Sequence, residues 1–136
     1  MKKMVSLQDY PFQHKLNTRW KDLDAFRHIN NAAYLTYIED ARIVLLRRWN
    51  IDYQQKSLIV ASVKIDYIKQ VNHPSSLVIG QKVSRVGTKS FDIESAVFNE
   101  DTSELVCMST ITSVAFDFNK NKTVEVFQEI IEDFKK

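Results

Sequence analysis

Along this chain the apolar positions change their period. Tyr34, Tyr37, Ile38, Ala41, Leu45 and Trp49 recur at i, i+3, i+4, i+7 steps and predict one long helix, about Ala32 to Trp49. Ile43, Val44 and Leu46 widen that stripe beyond one face. Such a helix wants cover on more than one side, as if a sheet wrapped it. Ahead of it Phe12 to Trp20 alternates loosely and reads as a strand. The polar segment Lys21 to Asn31 connects the two, with Asn30 or Asn31 a good N-cap.

After the helix the pattern is that of strands. Ile59, Ala61, Val63, Ile65 and Tyr67 alternate strictly against Leu58, Val60, Ser62, Lys64, Asp66 and Ile68. The polar end of the second set predicts one face against the helix and one partly exposed. Asn72-His73-Pro74-Ser75 closes that strand, and Leu77 to Val86 is the next. Val86-Gly87-Thr88-Lys89 is a tight hairpin, followed by Ser90 to Phe98. Glu104 to Phe118 is a long last strand, Asn119 to Lys122 a turn, and Val126 to Phe134 a short terminal helix or tail. A strand, a long helix and four hairpin-joined strands make an α+β domain: one antiparallel sheet curled around one helix. Its edge strands need partners, so a homo-oligomer paired across a two-fold axis is expected.

Composition narrows the function classes. The 136 residues suit one domain, 1–136, with a real core. Net charge is +2, from 19 basic and 17 acidic residues, too balanced to advertise nucleic acid as a partner. The two glycines, Gly80 and Gly87, form no phosphate-cradling loop, which excludes dinucleotide and P-loop readings. Cys107 is the only cysteine; an internal disulfide and a cysteine-based zinc cluster are excluded. It reads as buried and inert. No run reaches the roughly 20 apolar residues of a membrane span, and the N-terminal MKKMVSLQDYPFQ lacks a secretory apolar core. The expectation is a cytoplasmic protein with no membrane and no cofactor.

The candidate chemistry lies between Arg19 and Arg42. Asp24, just before the helix, is placed to be a general base or a nucleophile toward an acyl carbon. It is equally explained as a turn former or a charge complementing the helix dipole. Asp22 has the same two readings, and one of the pair serves only to orient the loop if the other reacts. His28 is a proton shuttle, a residue that positions a base, or a histidine bonded to backbone. It has no partner at metal-ligand spacing, so no metal is expected. Unpaired N–H groups of the first turn, around Asn31 and Ala32, are suited to a carbonyl oxygen that gains charge. Glu39 and Arg42 pair three apart, with Glu39 a second candidate carboxylate. Arg85, Lys89 and Ser90 flank the Gly87 hairpin and suit a carrier phosphate or a solvated basic turn.

The stretch RW-x-D-x-D-x3-H-I-N-N-x2-Y-x2-Y-x-E-x-AR resembles the N-terminal signature of the hotdog-fold acyl-CoA thioesterases, in particular the 4-hydroxybenzoyl-CoA thioesterase family with its YbgC-like and FadM-like members. LVIGQKV, TKSFDIES and LVCMSTITSVAFD resemble its hairpin-linked strands, so the likeness covers nearly the whole chain. It implies a hotdog fold in dimers or tetramers with sites between subunits. It implies hydrolysis of an acyl-CoA, with Asp24 as nucleophile or general base and the Asn31 backbone N–H polarising the thioester carbonyl. His28 and Asn30 match the family's HxNN subset. Lys89 and Ser90 match a strand start that contacts CoA, here or from a neighbouring subunit. Many relatives have glycine before this histidine, where Arg27 stands: a cation that narrows the site or reaches a carboxylate or phosphate. The contrasting reading is a hotdog domain that binds acyl-CoA or acyl carrier protein without hydrolysis. A hydroxyacyl dehydratase is a third, with a differently spaced histidine.

Overall fold

The computed structural model describes residues 5–135. Met1–Met4, the start of the stretch read as lacking a secretion signal, lies outside them. In chain order the elements are β1 (Phe12–Asn17), α1 (Asn31–Arg48), β2 (Ser57–Tyr67), β3 (Ser76–Val86), β4 (Ser90–Asn99), β5 (Leu105–Asp117), β6 (Lys122–Thr123) and α2 (Gln128–Phe134). Short 3-10 turns stand at Leu7–Asp9 and Trp20–Asp22. The helical and strand periods thus fall where the apolar spacing placed them, except that β1 stops at Asn17 and Trp20 opens a 3-10 turn. The stretch read as a turn at Asn119 to Lys122 ends in β6, which pairs back onto Phe116 and Asp117.

All strand pairs are antiparallel, in the order β1-β3-β4-β5-β2. The expected chain of hairpins is therefore corrected at one link. β3–β4 and β4–β5 are hairpins, whereas β2 pairs with β5 at the far edge and never with β3. The connection crosses the sheet end and stitches to the segment ahead of the helix: Ile29 N–H donates to Val71 O at 3.1 Å, and His28 bridges Asn72. That crossover, absent from any local pattern, anchors the polar loop.

Helix α1 lies against one face of the curled sheet. Ala33, Tyr34, Tyr37, Ile38 and Ala41 pack with Leu77, Ile79, Val97, Cys107 and Ile111. Further along, Leu45 and Trp49 meet Val83, Phe91, Ile93 and Ile130 of α2. The Trp49 indole N–H donates to Asp133 at 2.6 Å, and Arg48 forks onto the same carboxylate, so α2 closes the end of the core. Directly opposed residues share a face. The row Val83, Ile93, Ile111 and Val63 therefore runs from β3 to β2 on the helix side.

Two expectations about exposure change. The strict alternation in β2 breaks at a bulge between Val60 and Ser62. Val60 opposes Ser113 and Val63 opposes Ile111, so Val60 joins Val63 on the helix face and Ile59 turns away. Ile43 and Val44 are not covered within one chain, at 41% and 49% exposed, and Ile59, Val60, Val63, Tyr67 and Ile68 on or beside β2 are also exposed. The sheet is not wide enough to cover everything that the helix stripe and the β2 face present.

Candidate active site

The loop between Leu23 and Ile29 is closed by its own backbone. Asp24 N–H donates to His28 O at 2.8 Å, Arg27 N–H to Asp24 O at 3.2 Å, and Leu23 bridges Ile29. The Asp24 side chain completes the turn: Oδ1 accepts Phe26 N–H at 2.8 Å and His28 N–H at 3.1 Å. Its turn-forming reading therefore holds for one oxygen. The other, Oδ2, has no partner among the described residues, and the half-buried Asp24 lines an open concavity of about 730 Å³ with Trp20, Lys21, Leu23, Ala25, Arg27 and His73.

Arg27 explains why a glycine suits this position. Its φ is +63°, in the left-handed region where a side chain costs energy. The exposed guanidinium has no ion-pair partner among the described residues. The His28 ring is half-buried and, among the described residues, takes no hydrogen bond; the bonds here are from its backbone.

Asn30 is the N-cap, with Oδ1 accepting Ala32 N–H at 2.9 Å. Ala33 N–H donates to Asn30 O. That leaves the Asn31 N–H, first in the helix, without an acceptor among the described residues, at the positive end of an 18-residue helix. Asn31 O accepts the Tyr67 hydroxyl at 3.1 Å, which ties the end of β2 to the helix start.

The two aspartates separate cleanly. Asp22 is buried at 6% exposure and holds the loop rather than lining its cavity. Arg19 forks onto its carboxylate, Tyr37 donates its hydroxyl at 2.5 Å, and Asp22 O accepts Asn30 N–H at 2.8 Å. Burial pushes the Asp22 pKa up, but the bonds from Arg19 and Tyr37 outweigh it and hold the carboxyl below its ordinary value. Glu39 is forked by Arg42 at 2.8 and 3.1 Å, as the three-residue spacing suggested.

Lys89 and Ser90 are not brought to this loop within one chain. They stand at the opposite end of β4, where Phe91 meets Trp49 past the far end of α1. At 1.5 Å per residue that helix is about 27 Å long. Ser90 Oγ accepts Arg85 Nη2 at 3.0 Å, and Arg85 forks onto Asp92. Cys107 is buried, its thiol pushed up to about 12 by burial and then by the nearby Asp66 charge. His73, which the sequence places only in the turn after β2, is the residue that the fold adds. It enters the Asp24 concavity from the crossover, with Nδ1 2.8 Å from Thr18 Oγ1. No spacing signal marks it, because only the strand order brings it there.

A half-free carboxylate facing an open concavity, on the loop that leads into an unsatisfied helix N-terminus, is of the kind that suits attack on an activated carbonyl. The family model described as the thioesterase-like superfamily matches residues 18–134. This chain belongs to that superfamily. Among its relatives, the YsmA protein of Bacillus subtilis, itself uncharacterized, is 31% identical over 67% of this chain and 69% of its own. The long-chain acyl-CoA thioesterase FadM of Escherichia coli is 25% identical over 88% of this chain and 94% of its own. A Thermus thermophilus thioesterase solved with coenzyme A and zinc superposes with a TM-score of 0.82 at 23% identity, covering 93% of this chain and 99% of that one. The curled sheet and central helix are thus the hotdog fold of a thioesterase-superfamily member, and hydrolysis of a thioester is the coarse assignment.

Proposed function

We propose that the protein hydrolyses acyl-CoA thioesters, with Asp24 as the reacting carboxylate. What supports this is that Asp24 Oδ2, in an open concavity, and the Asn31 N–H, at the head of α1 on the same loop, both lack a partner among the described residues. Water attacks the thioester carbon as Asp24 takes its proton, or Asp24 itself attacks and water releases the acyl group afterwards. In either case the carbonyl oxygen gains charge beside the Asn31 N–H, the C–S bond breaks, and CoA leaves as thiolate to be protonated. A thiolate leaves readily, so the reaction needs no strong general acid. The named activity of FadM and the coenzyme A of the Thermus thermophilus thioesterase support CoA as the carrier.

The active unit in this reading is a homodimer or homotetramer built across β2. Among the described residues one long edge of that strand is unpaired, and its exposed Val60, Val63 and Tyr67 continue the helix-side face. Antiparallel pairing of β2 with its copy sets the Ser57 end of one strand beside the Tyr67 end of the other. The Ser57 end is where Lys89 and Ser90 lie, because Ser57 opposes Phe116 and Ser90 opposes Val114. The Tyr67 end holds Asn31. A two-fold axis therefore carries each Lys89–Ser90 pair toward the other copy's Asp24 loop, which makes their CoA role an intersubunit one.

The test is thiol release from short, long and aromatic acyl-CoAs, run beside Asp24→Ala. Turnover of at least one class by wild type, lost in the folded variant, is expected. Saturable binding with no thiol released across the panel would instead establish a non-hydrolytic acyl-CoA or acyl-carrier-protein binder.

A further inference from the structure

The buried Asp22 joins three parts of the molecule at one residue. Its carboxylate receives Arg19 N–H and Nε on Oδ2 at 3.0 and 3.1 Å, and Arg19 Nη2 on Oδ1 at 2.9 Å, from the chain leaving β1. It receives the Tyr37 hydroxyl from within α1. Its carbonyl holds Asn30 N–H, immediately before the proposed oxyanion donor Asn31. Asp24 lies two residues further along the same backbone. Both arms of the proposed site, the carboxylate and the N–H, therefore hang from Asp22.

We propose that Tyr37 and Asp22 are positioning residues: the Tyr37 hydroxyl, acting through Asp22, sets the place of the Asn31 N–H relative to the Asp24 carboxylate. This rests on the thioesterase reading above. Hydrogen bonds to an ionised acceptor are the stronger and shorter kind, and Tyr37 spends one on a group with no room to relax into water. The separation of a base and an oxyanion donor is a quantity to which rates are steeply sensitive; a shift of 1 Å costs as much as ~100-fold. A phenol that only filled space would need no such bond. Tyr34 supplies the contrast: it lies one turn earlier on the same helix and is as buried, but its hydroxyl bonds to no side chain among the described residues.

The experiment compares Tyr37→Phe with Tyr34→Phe, each confirmed folded by circular dichroism at the assay temperature. In Tyr37→Phe, kcat for acyl-CoA is expected to fall about tenfold with KM within about twofold, the mark of an interaction felt in the transition state. Tyr34→Phe is expected to keep wild-type kcat. Hydrogen exchange of the Asn30 amide reads the same linkage without turnover and is expected to speed up only in Tyr37→Phe. Unchanged kcat in Tyr37→Phe, or an equal loss in Tyr34→Phe, overturns the proposal. If wild type releases no thiol from any acyl-CoA, the thioesterase reading fails separately, and equal Asn30 exchange in the two variants then overturns the linkage itself. Arg19→Lys, acting on the same carboxylate from its exposed side, is read in the same way should Tyr37→Phe not fold.

Discussion

The Asp24 carboxylate is held by the backbone of His28, four residues on: Oδ1 accepts that N–H at 3.1 Å while Oδ2 has no partner among the described residues. One oxygen builds the turn and the other is left for chemistry. Asp24→Asn separates the two tasks, since an amide oxygen still accepts the loop N–H groups but the side chain no longer accepts a proton. The variant is expected to unfold within about 1 kcal/mol of wild type, as a retained turn bond requires. Its thiol release is expected to drop by about 10²–10⁴, the usual loss of a general base. Wild-type turnover in a folded Asp24→Asn protein would end the assignment.

Arg27 carries a left-handed φ of +63° that a glycine adopts without strain. A side chain there costs roughly 1–2 kcal/mol, and the looser unfolded chain of glycine takes back about 0.5–1. Arg27→Gly is accordingly expected to raise the unfolding free energy by a net of about 0.5–1 kcal/mol, read as a higher urea midpoint with m unchanged. A rise in KM for particular acyl-CoAs in the same variant would show the guanidinium touching substrate.

Val63 is 42% exposed in the single chain and sits mid-strand on the β2 edge. A glutamate on each copy would place like charges near a two-fold axis. Val63→Glu is expected to sediment as monomer where wild type sediments as dimer or tetramer, and to lose thiol release in proportion, since Lys89 and Ser90 would then reach no neighbouring loop. A monomeric wild type with full activity would remove the intersubunit role.

Acid stability follows from Asp22 and Asp92. Burial raises the Asp22 pKa but Arg19 and Tyr37 more than offset it; Asp92 is lowered first by its bond from Arg85, against a smaller penalty from burial. Both are depressed in the folded state. Their contribution is thus complete above the unfolded carboxylate value, ~3.9, and is lost as pH falls through the folded values. Melting temperature is expected to hold between pH 7 and about pH 5 and to drop below about pH 4. Asp22→Asn, less stable at neutral pH, should show a shallower acid drop; an identical slope would mean that other carboxylates dominate.

The elements were legible because each is a local period. Tyr34, Tyr37, Ile38, Ala41 and Leu45 all prove buried on one helix, and the alternation of β5 from Val106 to Asp117 is nearly complete. The Asp24 turn and the Asn30 cap were legible for the same reason, since both are bonds across two to four residues. The β2 bulge was not, because inserting one residue into a ladder leaves no mark on an apolar sequence. Nor was the partner of Tyr37, which looked like a core aromatic until its hydroxyl met Asp22 from another element.

By itself, then, the sequence determined the periods, the helix start, the acid-bearing loop and the family resemblance, because each rests on near neighbours in the chain. The tertiary structure alone decided that β2 leaves β3 for the far edge, that His73 and Asp24 share one concavity, and that Lys89 and Ser90 lie a helix length away. These depend on strand order, which is chosen by how one sheet best covers one helix. That is a property of the whole packed chain and is written in no single stretch of it.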